Sequence, residues 1–233
     1  MAEAYLHNAL DIYSKNVALF ISPSRFLAKK FLECGWPENS IKIIPNFVDI
    51  PFSESKGDGE GMIYFGEVSA LKGVPFLLEA LKGMAPPVKL KIVGDGPDRE
   101  LCYQLATKIS HDVKFIPFQS TPQLHKTIQQ ASFTVVPSLC YENQPIAILE
   151  SYALGRAVVG TGHGGIAELI DDQKTGLLFE PGNPKMLAEK LTEMLSHPQK
   201  AVQMGEEARQ KVQQEFSADL HYQRIIEAYR TIS

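Results

Sequence analysis

From residue 62 onward, short runs of apolar and β-branched residues alternate with segments whose apolar positions recur at helical spacing. MIYFGEV (62–68), KLKIVGDG (89–96), VKFIPF (113–118), SFTVVPS (132–138), RAVVGTG (156–162) and TGLLFEP (175–181) read as strands. Between them, PFLLEALKGM (75–84), DRELCYQLATKI (98–109), TPQLHKTIQQA (121–131), PIAILESYALG (145–155) and GIAELI (165–170) read as helices. Strand, helix, strand repeated in this way predicts parallel pairing through right-handed crossovers, and hence a doubly wound α/β sheet.

Residues 1–50 carry a smaller version of the same pattern. VALFISPS is a strand, RFLAKKFLECG a helix closed by Gly35, and SIKIIPNFV a second strand. One strand–helix–strand block of this length buries little core by itself, so it reads as the last piece of another sheet. The polar, glycine-rich stretch within residues 51–61 is the expected linker, 62–215 the main domain, and 216–233 a closing helix with Ser217 as its N-cap.

Composition narrows the partners more than the fold. Among 233 residues, 23 Lys and Arg stand against 27 Asp and Glu, a net charge of −4 that gives no electrostatic reason to expect nucleic acid. Any bound anion must therefore be held by a local site. Three cysteines, Cys34, Cys102 and Cys140, match no metal or redox spacing and read as reduced thiols of a cytoplasmic protein. The most apolar early stretch, NVALFIS, is far too short to span a bilayer.

In an open α/β sheet the ligand lies beyond the carboxyl ends of the strands, so the turns there hold the candidate chemistry. FGEVSALKGV places Gly66 after a strand and Lys72 before a helix, a combination that suits a phosphate; a solvated loop lysine is the plain alternative. KIVGDGPDRE begins like a dinucleotide fingerprint, but residue 99 is Arg, so G-x-G-x-x-G is not completed and a nicotinamide enzyme is disfavoured. YENQPIAILE sets Pro145 in the first helical turn, which leaves backbone donors of Asn143, Gln144 and Ile146 free for an anion or sugar hydroxyls. Glu142 faces the same pocket. Glu150 sits among Ile146, Ile148, Leu149 and Ala153, where a carboxylate needs donors; a ribose diol supplies two, and pairing with Arg156 or Arg25 is the structural alternative. GTGHGGIAELI allows an unusual loop around His163, with Glu168 on the helix that follows. No cluster has convincing metal spacing and there is no P-loop.

Taken in order, ISPSRFLAKKFLECGWPENSIKIIPNFVD, GEVSALKG, IVGDGP, PSLCYENQPIAILESYALGRAVVGTGHGGIAELI, TGLLFEPGNP and the closing helix resemble the retaining glycosyltransferases of the large group 1 family (family 4). That family has the GT-B architecture of two facing Rossmann-like domains, and the resemblance implies that this chain is mainly its C-terminal half. It implies a nucleotide-sugar donor, most commonly UDP- or GDP-linked, as substrate and no obligatory metal or other cofactor. By the same carry-over Lys72, beside Gly66, contacts the diphosphate, Glu150 the ribose and Glu142 the transferred sugar. The backbone of Asn143, Gln144, Pro145 and Ile146 holds sugar hydroxyls, and the segment around Phe118 lines the base. Catalytic roles fall on Glu142 and Lys72. Glu67 stands where the family commonly has an arginine.

The resemblance also implies that residues 1–50 end an acceptor-binding domain whose earlier part this chain lacks. The apolar face of the closing helix (Leu220, Ile225, Ala228, Tyr229) would then meet that domain, an acceptor-domain partner chain or a second copy. Alternatives from other classes are a non-catalytic nucleotide-sugar-binding module acting with a partner, and a structural remnant with an empty cleft. Arg25, Lys29 and Lys30 suit peripheral contact with an anionic inner membrane face, against the plainer reading of a solvated helix face.

Overall fold

The structure is a computed structural model that describes residues 12–50, 59–85 and 87–232. The expected linker falls mostly on 51–58, outside the described residues. A short helix, α1 (Ile12–Asn16), leads into β1 (Phe20–Ser22), α2 (Arg25–Glu33) and β2 (Ile41–Ile43). There follow β3 (Met62–Phe65), α3 (Val74–Leu81), β4 (Lys89–Val93), α4 (Arg99–Ala106), β5 (Asp112–Ile116), α5 (Thr121–Gln129) and β6 (Phe133–Val136). The chain continues through α6 (Ile146–Ala153), β7 (Ala157–Thr161), α7 (Gly164–Leu169), β8 (Gly176–Phe179), α8 (Pro184–Ser196), α9 (Pro198–Glu215) and α10 (Ala218–Arg230).

Strands β3 to β8 form one parallel sheet in the order β5-β4-β3-β6-β7-β8. The six strands expected from the pattern are these six. Successive strand side chains point to opposite faces, so Met62 and Tyr64 enter one core with Leu90, Phe133 and Leu77 of α3. Ile63 and Phe65 enter the other, with Ile148 and Tyr152 of α6 and Ile166 of α7. Helices thus cover both faces, which is why β3, β6 and β7 are buried throughout rather than alternating with polar positions.

The strand order decides where a ligand can go. From β3 the chain winds outward to β5, then returns to the centre at β6 and winds the other way to β8. The loops leaving β3 and β6 therefore diverge, and a crevice opens between them at the carboxyl edge.

The N-terminal block is a separate two-stranded parallel sheet, β1-β2, crossed by α2. Ser24 caps α2 by accepting from the Leu27 amide at 3.1 Å, and Phe20, Phe31 and Trp36 form its small aromatic core. Val48 and Ile50, just after β2, are buried in the core of the larger sheet. Ser217 caps α10 as expected, and α10 runs back against the N-terminal block: Val48 bridges Ser217, and a His221 ring nitrogen lies 2.7 Å from the Pro45 carbonyl. Tyr222 and Tyr229 on this helix stay exposed.

Candidate functional site

Three strand ends step down into the crevice. The Gly66 amide donates to the Val93 carbonyl and the Gly94 amide to the Ile116 carbonyl, both at 3.0 Å. The strand expected through Val68 stops at Phe65, because Gly66 turns away at φ 137°. Gly94 has the same φ, and a Cβ there would lie 2.0 Å from the Gly66 carbonyl oxygen, so only glycine lets the two loops close on each other. Asp98, opening α4, accepts from the Ala70 amide at 2.6 Å and so pins the loop that carries Lys72.

Across the crevice the loop 137–145 is held from two sides. Leu139 donates its amide to the Leu71 carbonyl at 2.9 Å, joining the loop after β6 to the loop after β3. The His163 ring reaches the carbonyls of Ser138 and Cys140 at 3.2 and 3.1 Å, and Gly165 donates to the Glu142 carbonyl at 2.6 Å. A Cβ at Gly165 would overlap the Asn143 carbonyl oxygen at 1.7 Å, so α7 starts this close only because position 165 has no side chain. These contacts explain the run of glycines around His163.

Lys72 and Glu142 are thereby brought together. Lys72 Nζ donates to Glu142 Oε1 at 2.6 Å, and the buried Ser138 hydroxyl donates to the same oxygen at 2.9 Å. The Glu142 side chain is 16% exposed and that of Lys72 35%, so the pair is partly shielded but reachable. Burial pulls the Lys72 pKa down, but the hydrogen bond and charge of Glu142 outweigh it, and the net shift is upward. Glu67 is exposed beside the same ammonium, and its negative charge adds to that shift.

Pro145 is the N-cap of α6, one place earlier than expected: its ψ of 119° is extended, and the first turn begins at Ile146. Among the described residues, the amides of Asn143, Gln144 and Ile146 donate to no acceptor. The Gln144 side chain is buried and turns the other way, its Oε1 accepting from the Asn46 amide of the N-terminal block at 2.5 Å. Glu150 lies one turn into α6, half-buried, and its carboxylate has no hydrogen-bond or ion-pair partner among the described residues. Desolvation raises its pKa. Neither arginine considered above reaches it: Arg156 donates to the Gln129 carbonyl, and the Arg25 backbone donates to Glu168. Phe118 stands on the loop after β5, 83% exposed.

The sequence did not single out Ser138 or Asp98, although Ser138 lies only four residues before Glu142; His163 was noted in its glycine-rich loop, and the structure has its ring reach the Ser138 and Cys140 carbonyls. A separate cavity of ≈ 590 Å³ lies between the N-terminal block and α7; it is lined by Gln144, Ser24, Arg25, Glu168 and Lys211, and by neither Lys72 nor Glu150. No group of three or more metal-ligating side chains occurs among the described residues.

This geometry agrees with what the chain is similar to. The family described as "Glycosyl transferases group 1" matches residues 48–211. The chain belongs to that family. It is 33% identical over 182 residues to an uncharacterized glycosyltransferase of Methanocaldococcus jannaschii, covering 69% of this chain and 46% of that protein. It is 28% identical over 249 residues to the lipopolysaccharide 1,2-N-acetylglucosaminetransferase of Salmonella typhimurium, covering 96% of this chain and 65% of that one. Among solved structures, HepE of Anabaena in complex with UDP superposes with a TM-score of 0.87 at 23% identity, over 99% of this chain and 68% of that one. The fold is thus that of the GT-B glycosyltransferases, and the chain spans between 46% and 65% of the length of these curated relatives.

Proposed function

We propose that residues 62–215 of this group 1 glycosyltransferase chain bind a nucleotide sugar in the crevice between the β3 and β6 loops, as the donor-binding half of a retaining enzyme. The observation that carries this reading is the meeting of Lys72 and Glu142 at the switch point, with the unpartnered Glu150 carboxylate on the next helix. A ribose diol donates two hydrogen bonds and would satisfy Glu150. The diphosphate would lie against Lys72 and the Gly66 turn, with the base against Phe118. The open amides of Asn143, Gln144 and Ile146 and the Pro145 turn would then face the transferred sugar, beside Glu142.

In the reaction the bond between the anomeric carbon and the diphosphate oxygen breaks, the acceptor hydroxyl oxygen bonds to that carbon on the same face, and its proton passes to the departing diphosphate. The leaving diphosphate gains charge as that bond stretches. Lys72 ammonium and the amides at the start of α6 are positioned to stabilise it, a contribution that grows toward the transition state. The acceptor and its binding surface belong to the whole protein, with the block 1–50 as the adjoining end of the acceptor side and 216–233 as the helix that crosses back to it.

Calorimetric titration with UDP, GDP, ADP and their sugar conjugates tests the proposal. UDP comes first because the Anabaena neighbour is in complex with it. Saturable binding of one nucleotide by the wild type, weakened by Lys72→Ala and by Glu150→Ala, is the expected result. A well-folded chain that binds none of them would overturn it. Binding without turnover, even in the presence of an acceptor half, would make the chain a nucleotide-sugar-binding module.

A further inference from the structure

Gln144, in the middle of the loop that leads into α6, faces two ways. Its backbone lies between Glu142 and Pro145, and its amide donates to no acceptor among the described residues. Its side chain is 7% exposed and reaches away from the loop, with Oε1 accepting from the Asn46 amide at 2.5 Å. Asn46 is 98 residues distant in the chain and belongs to the segment after β2.

That segment is held by a different element at each step. The Ile44 amide donates to the Ser22 carbonyl of β1 at 2.8 Å, and the Val48 amide to the Phe216 carbonyl at 3.2 Å. The Pro45 carbonyl lies 2.7 Å from a His221 ring nitrogen of α10, and the Phe47 ring packs on the His221 ring with centroids 4.7 Å apart. Ile44, Val48 and Ile50 are buried. Residues 44–50 thus form a fixed frame tied to both sheets and to the closing helix. The loop needs one: Leu139 and Cys140 are tied to the Leu71 carbonyl and the Glu142 carbonyl to the Gly165 amide, but the amides of Asn143 and Gln144 donate to no acceptor among the described residues. Between Glu142 and the first turn of α6, the Gln144 side chain supplies the tie.

Resting on the donor reading, we propose that Gln144 is a positioning residue for glycosyl transfer: its side chain anchors the loop to residues 44–48 and so sets where Glu142 and the open amides of residues 143, 144 and 146 stand against the sugar. The side chain itself does not touch the donor. It acts through the backbone on either side of it, and holding such groups matters because a displacement of about 1 Å can cost ~100-fold in rate. The sugar is the part of the donor beside the anchored stretch, whereas UDP alone is assigned to Lys72, Glu150 and Phe118.

Two substitutions separate the hydrogen bond from the packing. Gln144→Leu fills much of the same buried space without an acceptor, and Gln144→Glu restores the acceptor. In Gln144→Leu the amides of Leu139, Cys140 and Gly165 in the free chain should exchange at least about fivefold faster, as for loss of one buried hydrogen bond, while β3, β6 and β7 keep their protection. By calorimetry, affinity for UDP-glucose relative to UDP should fall by a similar factor. Gln144→Glu should return both measurements to wild-type values. Unchanged exchange in Gln144→Leu, a loosened loop with an unchanged affinity ratio, or the same losses in Gln144→Glu would each overturn the proposal. So would loss of protection spread over the central strands in both variants, which would make Gln144 a support of the whole fold. A wild type that binds neither ligand would overturn the donor reading instead, and the exchange measurement would still decide whether Gln144 holds the loop.

Discussion

Lys72 and Glu142, 70 residues apart in the chain, meet at 2.6 Å across the switch point of the sheet. In the proposed donor site, this ion pair holds the ammonium that is assigned to the diphosphate. On that proposal, a diphosphate would draw the ammonium from one anion to another, while Glu142 kept the Ser138 hydroxyl. Because the Lys72 pKa is shifted upward, the ammonium stays charged through the neutral range, and the exchange is a competition between anions rather than a proton transfer.

Removing either partner should then act in opposite directions on a bare nucleotide. Lys72→Ala is expected to weaken UDP binding by about 10- to 100-fold, the loss of one charge-assisted hydrogen bond of ~1.5–3 kcal/mol. Glu142→Gln should tighten UDP by a few-fold, because the competing anion is gone, yet weaken the sugar conjugate relative to UDP. Calorimetry on both ligands decides. Equal weakening of UDP and its conjugate in Glu142→Gln would show that the carboxylate serves the loop rather than the sugar.

Phe118 is 83% exposed on the loop after β5, and the proposed donor site sets the base against its ring. Base stacking on an aromatic side chain contributes ~1–3 kcal/mol. Phe118→Ala should accordingly lower UDP affinity by about 5- to 100-fold while leaving the melting temperature within a degree of wild type. Inorganic pyrophosphate, which lacks a base, should bind both proteins equally. A parallel loss of pyrophosphate binding would place Phe118 elsewhere in the mechanism.

The fold could be read from the chain because both of its signals are local. Apolar runs and helical spacing named β3 to β8 and the helices between them; several ends shifted by up to about three residues, some of them at a special backbone such as Gly66 or Pro145. Residue type and position relative to strand ends also marked Lys72, Glu142 and Glu150. What stayed hidden was every relationship over long sequence distance. Nothing local announces that Glu142 turns back to Lys72, that Asp98 holds Ala70, or that Glu168 accepts from the Arg25 amide. Those facts are set by the strand order, and the spacing of apolar positions does not encode which strand follows which across the sheet.

Glu150 gives the site a pH signature. Its pKa is raised in the folded chain by desolvation, above the ordinary carboxylate value of 4.5. Between the two values the folded state binds more protons than the unfolded state, so stability falls as pH rises through that window and the penalty is complete above the folded value. Glu150→Gln removes it. The variant should melt above wild type at pH 7–8, the direction set by desolvation of the carboxylate. The difference should shrink to nothing below the ordinary carboxylate range. The same substitution should weaken UDP, since an amide is a poorer acceptor for two ribose hydroxyls, and wild-type UDP affinity should fall as Glu150 protonates. A variant less stable than wild type at neutral pH would indicate that Glu150 is satisfied in the free protein.

Glu168 links the two sheets in a way that hydrogen exchange can resolve. Its two carboxylate oxygens accept from the first amides of α2, Arg25 at 2.9 Å and Phe26, while Ser24 takes Leu27. The first turn of α2 thus depends on a side chain from the other side of the chain's two-sheet arrangement, and a carboxylate there also complements the positive end of the helix dipole. Glu168→Ala leaves two amides to water, and a cost of ~1–3 kcal/mol confined to that turn should follow. Amides of residues 25–27 are expected to exchange about 5- to 100-fold faster, while those of β3, β6 and β7 keep their wild-type protection. Glu168→Gln should fall between the two, since it retains one acceptor and loses the charge. Loss of protection spread evenly over the central strands would mean instead that Glu168 supports the larger sheet and that α2 is capped independently of it.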